Sequence, residues 1–249
     1  MATSELAAPP THRRRKRKPS RYFFVGMAVF AVMLLALAFV PEFIKFARGT
    51  FPIAPILHVH AAIMGAWVAA FIGQAYLGAT GKIALHRQIG PYAFFIGWLA
   101  LASMVFVEFR AMIVHPVPTD AAEYDWDLPG PYLYLTFPIF LAWAYHERRR
   151  PAWHKRLMTI ALFLTLLAAI QRYLWIPIDY GYWPFAAVLD VALLVPLAAY
   201  DLIALRGRLH PATVRGGALL LVSQALLFLL WGTSPWRNFA ALITHTLHG

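Results

Sequence analysis

The chain reads as an all-α polytopic transmembrane bundle of seven helices, N-terminus inside and C-terminus outside. Three observations lead there. Hydrophobic residues make up 61% of the 249 and charged residues only 13%, where a soluble domain is roughly a quarter charged. Apolar runs of about seventeen to twenty-five residues recur seven times, enough for helices crossing a hydrocarbon core of roughly 30 Å. Basic loops also alternate with basic-poor ones, which sets orientation by the positive-inside rule.

Residues 1–21 form a basic arm, with Pro9, Pro10 and Pro19 and seven cations from Arg13 to Arg21. Such a segment reads as disordered and attracted to anionic lipid. The run that follows is too long for a cleaved secretory signal, whose apolar stretch is about 7–15 residues. Candidate spans cover about 22–41, 56–78, 89–114, 130–146, 157–177, 184–205 and 215–233. The transmembrane domain is therefore 22–233, and 234–249 is a short outer tail.

The loops assign the sides. Lys82 and Arg87, then Arg148, Arg149, Arg150, Lys155 and Arg156, then Arg206, Arg208 and Arg215 join the arm on the inner side. Only Lys45, Arg48, Arg110, Arg172 and Arg237 fall at or near the outer side, where Asp120, Glu123, Asp125 and Asp127 share one loop. This distribution excludes nucleic acid as the reason for the net charge of +11 and suits a bacterial cytoplasmic membrane. There is no cysteine, which excludes disulfides, thiol nucleophiles and Cys-ligated metal centres. No Walker loop, Gly-x-Gly-x-x-Gly or Gly-x-Ser-x-Gly occurs, so nucleotide binding and serine hydrolysis have no support.

Ionisable residues within spans are costly and face the bundle interior by default. Helical phase aligns His60, Met64, Trp67, Phe71 and Gln74 on helix two. On helix three it aligns His86, Gly90, Ala93, Gly97, Ala100, Met104, Glu108 and His115. Sorted by depth, Glu108, Arg172 and Asp190 gather on the outer side as a proton or anion pocket. Arg172 with Asp190 or Glu108 would make a buried ion pair. His86 and His154 lie at the inner mouths of helices three and five, in the related stretches Ala84-Leu85-His86-Arg87 and Ala152-Trp153-His154-Lys155. These stretches suggest a duplicated hairpin. Two imidazoles at one depth suit a b-type haem, with the neighbouring bases neutralising its propionates. His60 is a further candidate, as an outer haem ligand or a proton relay. His58 and His60 diverge by about 200° on a helix, so they share a metal only where the helix begins after them. His245 and His248, beyond the last span, read as inert.

His86-Arg87-Gln88-Ile89-Gly90, His154-Lys155-Arg156-Leu157-Met158 and Tyr200-Asp201-Leu202…His210-Pro211-Ala212 resemble a set of bacterial multi-helix membrane proteins of unknown function. The resemblance covers about 55–235, implies an all-helical inner-membrane protein and assigns no site residue. A more distant similarity is to the four-helix b-type cytochromes of membranes, which pair histidines near helix ends. The chain departs from their four-histidine inner-and-outer pattern. Three functional readings stand at this point. They are a haem- or quinone-linked redox protein, a proton-coupled transporter or anion binder, and a scaffold or sensor without enzymatic activity.

Overall fold

The computed structural model describes residues 21–50, 53–127, 129–170 and 191–248, and every regular element among them is helical. In chain order these are α1 (Phe23–Ala47), α2 (Pro55–Ala79), α3 (Ile83–Val114) and a 3-10 turn (Ala121–Asp127). Next come α4 (Pro129–His146), a second 3-10 turn (Glu147–Arg149), α5 (Pro151–Leu164) and the short α6 (Leu167–Ile170). Then follow α7 (Leu194–Ala204), α8 (Pro211–Leu230) and α9 (Ser234–His248). Four of them, α1, α2, α3 and α8, are long and apolar enough to cross a membrane. Their outer faces carry exposed Leu37, Phe95 and Leu229, a surface suited to hydrocarbon rather than water.

Two helices start six residues earlier than hydropathy predicts, and the backbone explains both. After α2, Gly81 adopts φ +79°. The Lys82 N–H returns to the Leu77 carbonyl at 2.9 Å, and the Gly81 N–H to Gly78 at 3.4 Å. This is a Schellman stop, and α3 begins directly after it. α5 opens on Pro151, whose fixed φ and missing N–H suit a first helical position. Both early turns are amphipathic and basic, so hydropathy assigns them to loops although they are helical. The tail also differs: it folds as α9, with Trp236, Ala240 and Thr244 buried four residues apart on one face.

α2 packs along α3, and α4 along α5, as two hairpins. α5 is the centre, contacted by α1, α2, α4 and α8. Every residue from Ile160 to Leu164 is fully buried, as expected of a helix apolar on all sides. Small residues set the approach between hairpins. A Cβ at Gly97 of α3 would lie 2.9 Å from the Trp67 ring and 3.0 Å from Leu141, closer than packed carbons tolerate. Gly97→Val should therefore lower stability by about 1–3 kcal/mol through overpacking. Thermal unfolding of the detergent-purified protein measures this; an unchanged transition would refute the close fit.

Candidate functional site at the basic end

His86 and His154 occupy the same place in their helices, the fourth residue after the cap. The His86 backbone N–H donates to Lys82 and that of His154 to Arg150, both at 3.0 Å. The side chains repeat the pattern. His86 Nδ1 meets the Gln74 carbonyl at 3.2 Å, and His154 Nδ1 meets the Ala144 carbonyl at 2.8 Å. A carbonyl only accepts, so Nδ1 carries the proton in both rings, which in a neutral imidazole leaves the lone pair on Nε2. Each hairpin thus ties the histidine that opens its second helix back to the end of its first. Ala144 is among the last carbonyls of α4, which lack an intrahelical partner.

The two rings stand 6.2 Å apart between centroids, with planes at 81°. Both line a cavity of about 750 Å³ between the ends of α1 to α5, within the range of roughly 300–1,000 Å³ common for cofactor sites. Its deep wall is Trp67, Phe71 and Phe94, and its mouth holds cations. Pro91 lines the same cavity and cannot donate to the Arg87 carbonyl one turn back. The Trp67 Nε1 and both amide atoms of Gln74 are buried and have no hydrogen-bond partner among the described residues. Such groups cost free energy unless something satisfies them.

This donor set suits haem. A metal–imidazole bond is about 2.0–2.1 Å, and an imidazole centre lies roughly 1.1 Å behind its nitrogen from covalent bond lengths. Two imidazoles held by one metal would therefore have ring centroids at most about 6 Å apart. An edge-to-face aromatic contact spans a similar distance, about 4.5–7 Å. The twin Nδ1 bonds go further than the distance, because they hold both rings in the tautomer a metal requires. Among the described residues no three His, Asp or Glu side chains gather as a metal cluster.

His60 lies near the opposite end of α2, fourteen residues from Gln74, or about 21 Å along a helix. There it meets Ser103 Oγ at 3.1 Å. The Ser103 hydroxyl already donates to the Ala100 carbonyl at 2.8 Å, so His60 donates to Ser103. His58 packs its ring on Phe46 at 5.0 Å. Glu108 hydrogen-bonds the Tyr134 hydroxyl and sits over the start of α4. A Cβ at Gly130 would come within 2.8 Å of the Glu108 Oε1. Arg172 and Asp190 lie outside the described residues. Also at this end, Arg237 of α9 grips Asp125 through Nε at 3.1 Å and Nη2 at 2.6 Å. Trp236 Nε1 donates to the Tyr124 carbonyl at 2.9 Å. His248 is engaged too, meeting the Met112 carbonyl at 2.9 Å.

Helical phase did not reveal the buried pair Arg156–Asp201. Arg156 of α5 reaches Asp201 of α7 through Nε at 2.9 Å and through Nη2, and gives Nη1 to the Ala152 carbonyl at 2.7 Å. The second Asp201 oxygen accepts the Thr213 hydroxyl and the His210 N–H. The His210 Nδ1 in turn accepts the Ala212 N–H at 3.0 Å, capping α8. Burial first, and then the Arg156 guanidinium, hold the His210 imidazole below its ordinary range, so it stays neutral for that role. The legible signal was Asp201 itself, a carboxylate in an apolar run that needs a cation at its depth. Arg156 escaped notice because the predicted helix began one residue after it.

No family model, no curated protein and no solved structure matches this chain. Its chemistry is therefore argued from its own residues. Arg156→Met leaves a buried, uncompensated carboxylate and should cost about 3–5 kcal/mol. Arg156→Lys should recover only part, having a point charge in place of a fork. Denaturant unfolding in micelles reads both; equal stability of the three proteins would sink the assignment.

Proposed function

We propose that the chain is a multi-pass protein of a bacterial inner membrane that holds a b-type haem between His86 and His154 and passes electrons. The observation that carries this reading is the matched pair of rings. Each is in the Nδ1–H tautomer, each is anchored to a helix carbonyl, and both line one cavity. Seven spans with the N-terminus inside accord with the charge alternation, and the arm 1–21 then faces anionic lipid. The histidine pair would lie on the cytoplasmic side.

Bound there, haem would supply a one-electron couple at the cytoplasmic mouth. The chain's part is orientation and electrostatics. The carbonyls of Gln74 and Ala144 accept from Nδ1 and make each Nε2 a stronger base. Trp67, Phe71 and Phe94 exclude water from the deep wall, and the cations at the mouth favour bound negative charge.

A second reading has its own support. The Gln74 amide is buried in the cavity wall and has no partner among the described residues. A quinol would donate hydrogen bonds from its hydroxyls to the Nε2 acceptors, while an amide beside the ring would bond its oxygen.

Reduced-minus-oxidised absorbance of the purified protein tests both. Bis-imidazole haem bands should appear, vanish in His86→Ala and in His154→Ala, and persist in His60→Ala. Absence of those bands from the wild-type protein rejects haem, and a co-purifying quinone in their place establishes the second reading.

A further inference from the structure

The cavity mouth is one-sided in charge. Arg21, Arg87, Arg148, Arg149 and Lys155 line it, and among the described residues no Asp or Glu does. The neighbouring bases are treated differently: Arg150 pairs with Glu147 at 3.5 Å, and Arg156 with Asp201. Among the described residues, none of the five mouth cations has a carboxylate within ion-pair distance. Lys155 is held over the Phe24 ring at 4.6 Å, and Arg148 over Tyr145 at 4.4 Å. Both heads thereby rest on aromatic faces at the rim. Two helices, α3 and α5, also begin there, adding the positive ends of their dipoles.

The positive-inside rule accounts for cations at this level of the bundle. It does not account for five of them converging on one concave wall whose deep half is aromatic. The complementary ligand is an amphiphile with a flat apolar body and acidic groups along one edge. We infer that this mouth recognises the carboxylates of a dicarboxylic tetrapyrrole, independently of any metal it carries, with Lys155 and Arg148 as the specificity-determining residues. The inference rests on the proposed haem site for the choice of a tetrapyrrole, but not on axial ligation.

Metal-free protoporphyrin IX and its dimethyl ester separate the two claims, because neither has iron for His86 or His154 to bind. The full chain in neutral detergent is titrated with each, following quenching of Trp67 and the other tryptophans. The free diacid should bind about tenfold or more tightly than the diester, as one or two charge-assisted bonds allow, and its affinity should fall with salt. In the double variant Lys155→Gln, Arg148→Gln the diacid should weaken about tenfold and the diester stay unchanged, so the diester also checks the fold. Lys155→Arg should keep the preference. Equal wild-type affinity for diacid and diester overturns the inference. So does binding of neither porphyrin while phosphatidylglycerol in mixed micelles saturates the site, which would assign the mouth to lipid headgroups. A strong diacid preference in a protein whose iron form lacks bis-imidazole bands leaves this inference standing and removes the haem reading; equal affinities with those bands present do the reverse.

Discussion

The buried pair of Arg156 and Asp201 is the contact on which the basic end of the bundle depends. An isolated charge in an apolar interior is costly, so each of these groups tolerates burial only with its partner in place. The pair ties the centre of the bundle, α5, to α7, and the second carboxylate oxygen adds the start of α8 through Thr213 and His210. Tyr200, beside Asp201, stacks on Phe23 at 4.1 Å and brings α1 into the same knot. His154 lies two residues before Arg156. The rotation of the first turn of α5, and hence the direction of the His154 ring, follows from that ion pair.

The histidine pair then arises from a repeated local device rather than from a single designed contact. A chain stop or a proline begins a new helix, and the fourth residue of that helix is His. Its Nδ1–H returns to a carbonyl near the end of the preceding helix. Because α2–α3 and α4–α5 use the device alike, their packing brings two equivalent rings to one cavity. The related stretches Ala84–Arg87 and Ala152–Lys155 therefore correspond to a structural equivalence. Each ring is anchored to a carbonyl of its own hairpin, while the rotation of α5 and the gap between the rings are set by tertiary packing.

The two ends of the bundle handle charge in opposite ways. At the far end cations and carboxylates find each other, as Arg237 finds Asp125 and ties α9 to the 3-10 turn. Glu108 is met by a tyrosine hydroxyl. At the basic end most of the charge has one sign, and the buried carboxylate Asp201 is consumed by Arg156. What remains is a basic rim above an aromatic wall with unsatisfied polar atoms of Trp67 and Gln74 in it. Buried polar atoms of that kind cost free energy unless something satisfies them.

Helical character and spans long enough for a membrane were legible in the sequence, because hydropathy and period depend only on neighbouring residues. So was the level shared by His86 and His154, and helical phase already aligned Trp67, Phe71 and Gln74. Helix starts were not legible, since the basic first turns of α3 and α5 look like loops to hydropathy and are decided by a Schellman stop and a proline. In the tail, where only His245 and His248 are singled out and read as inert, Trp236 and Arg237 find partners more than a hundred residues away. Sequence alone therefore determined the helical, membrane-length spans and the common level of His86 and His154. Which side chains touch was decided by the packing of two hairpins around α5, because partner choice for a buried charge depends on rotation about the helix axis, and that is set only when the neighbouring helices are in place.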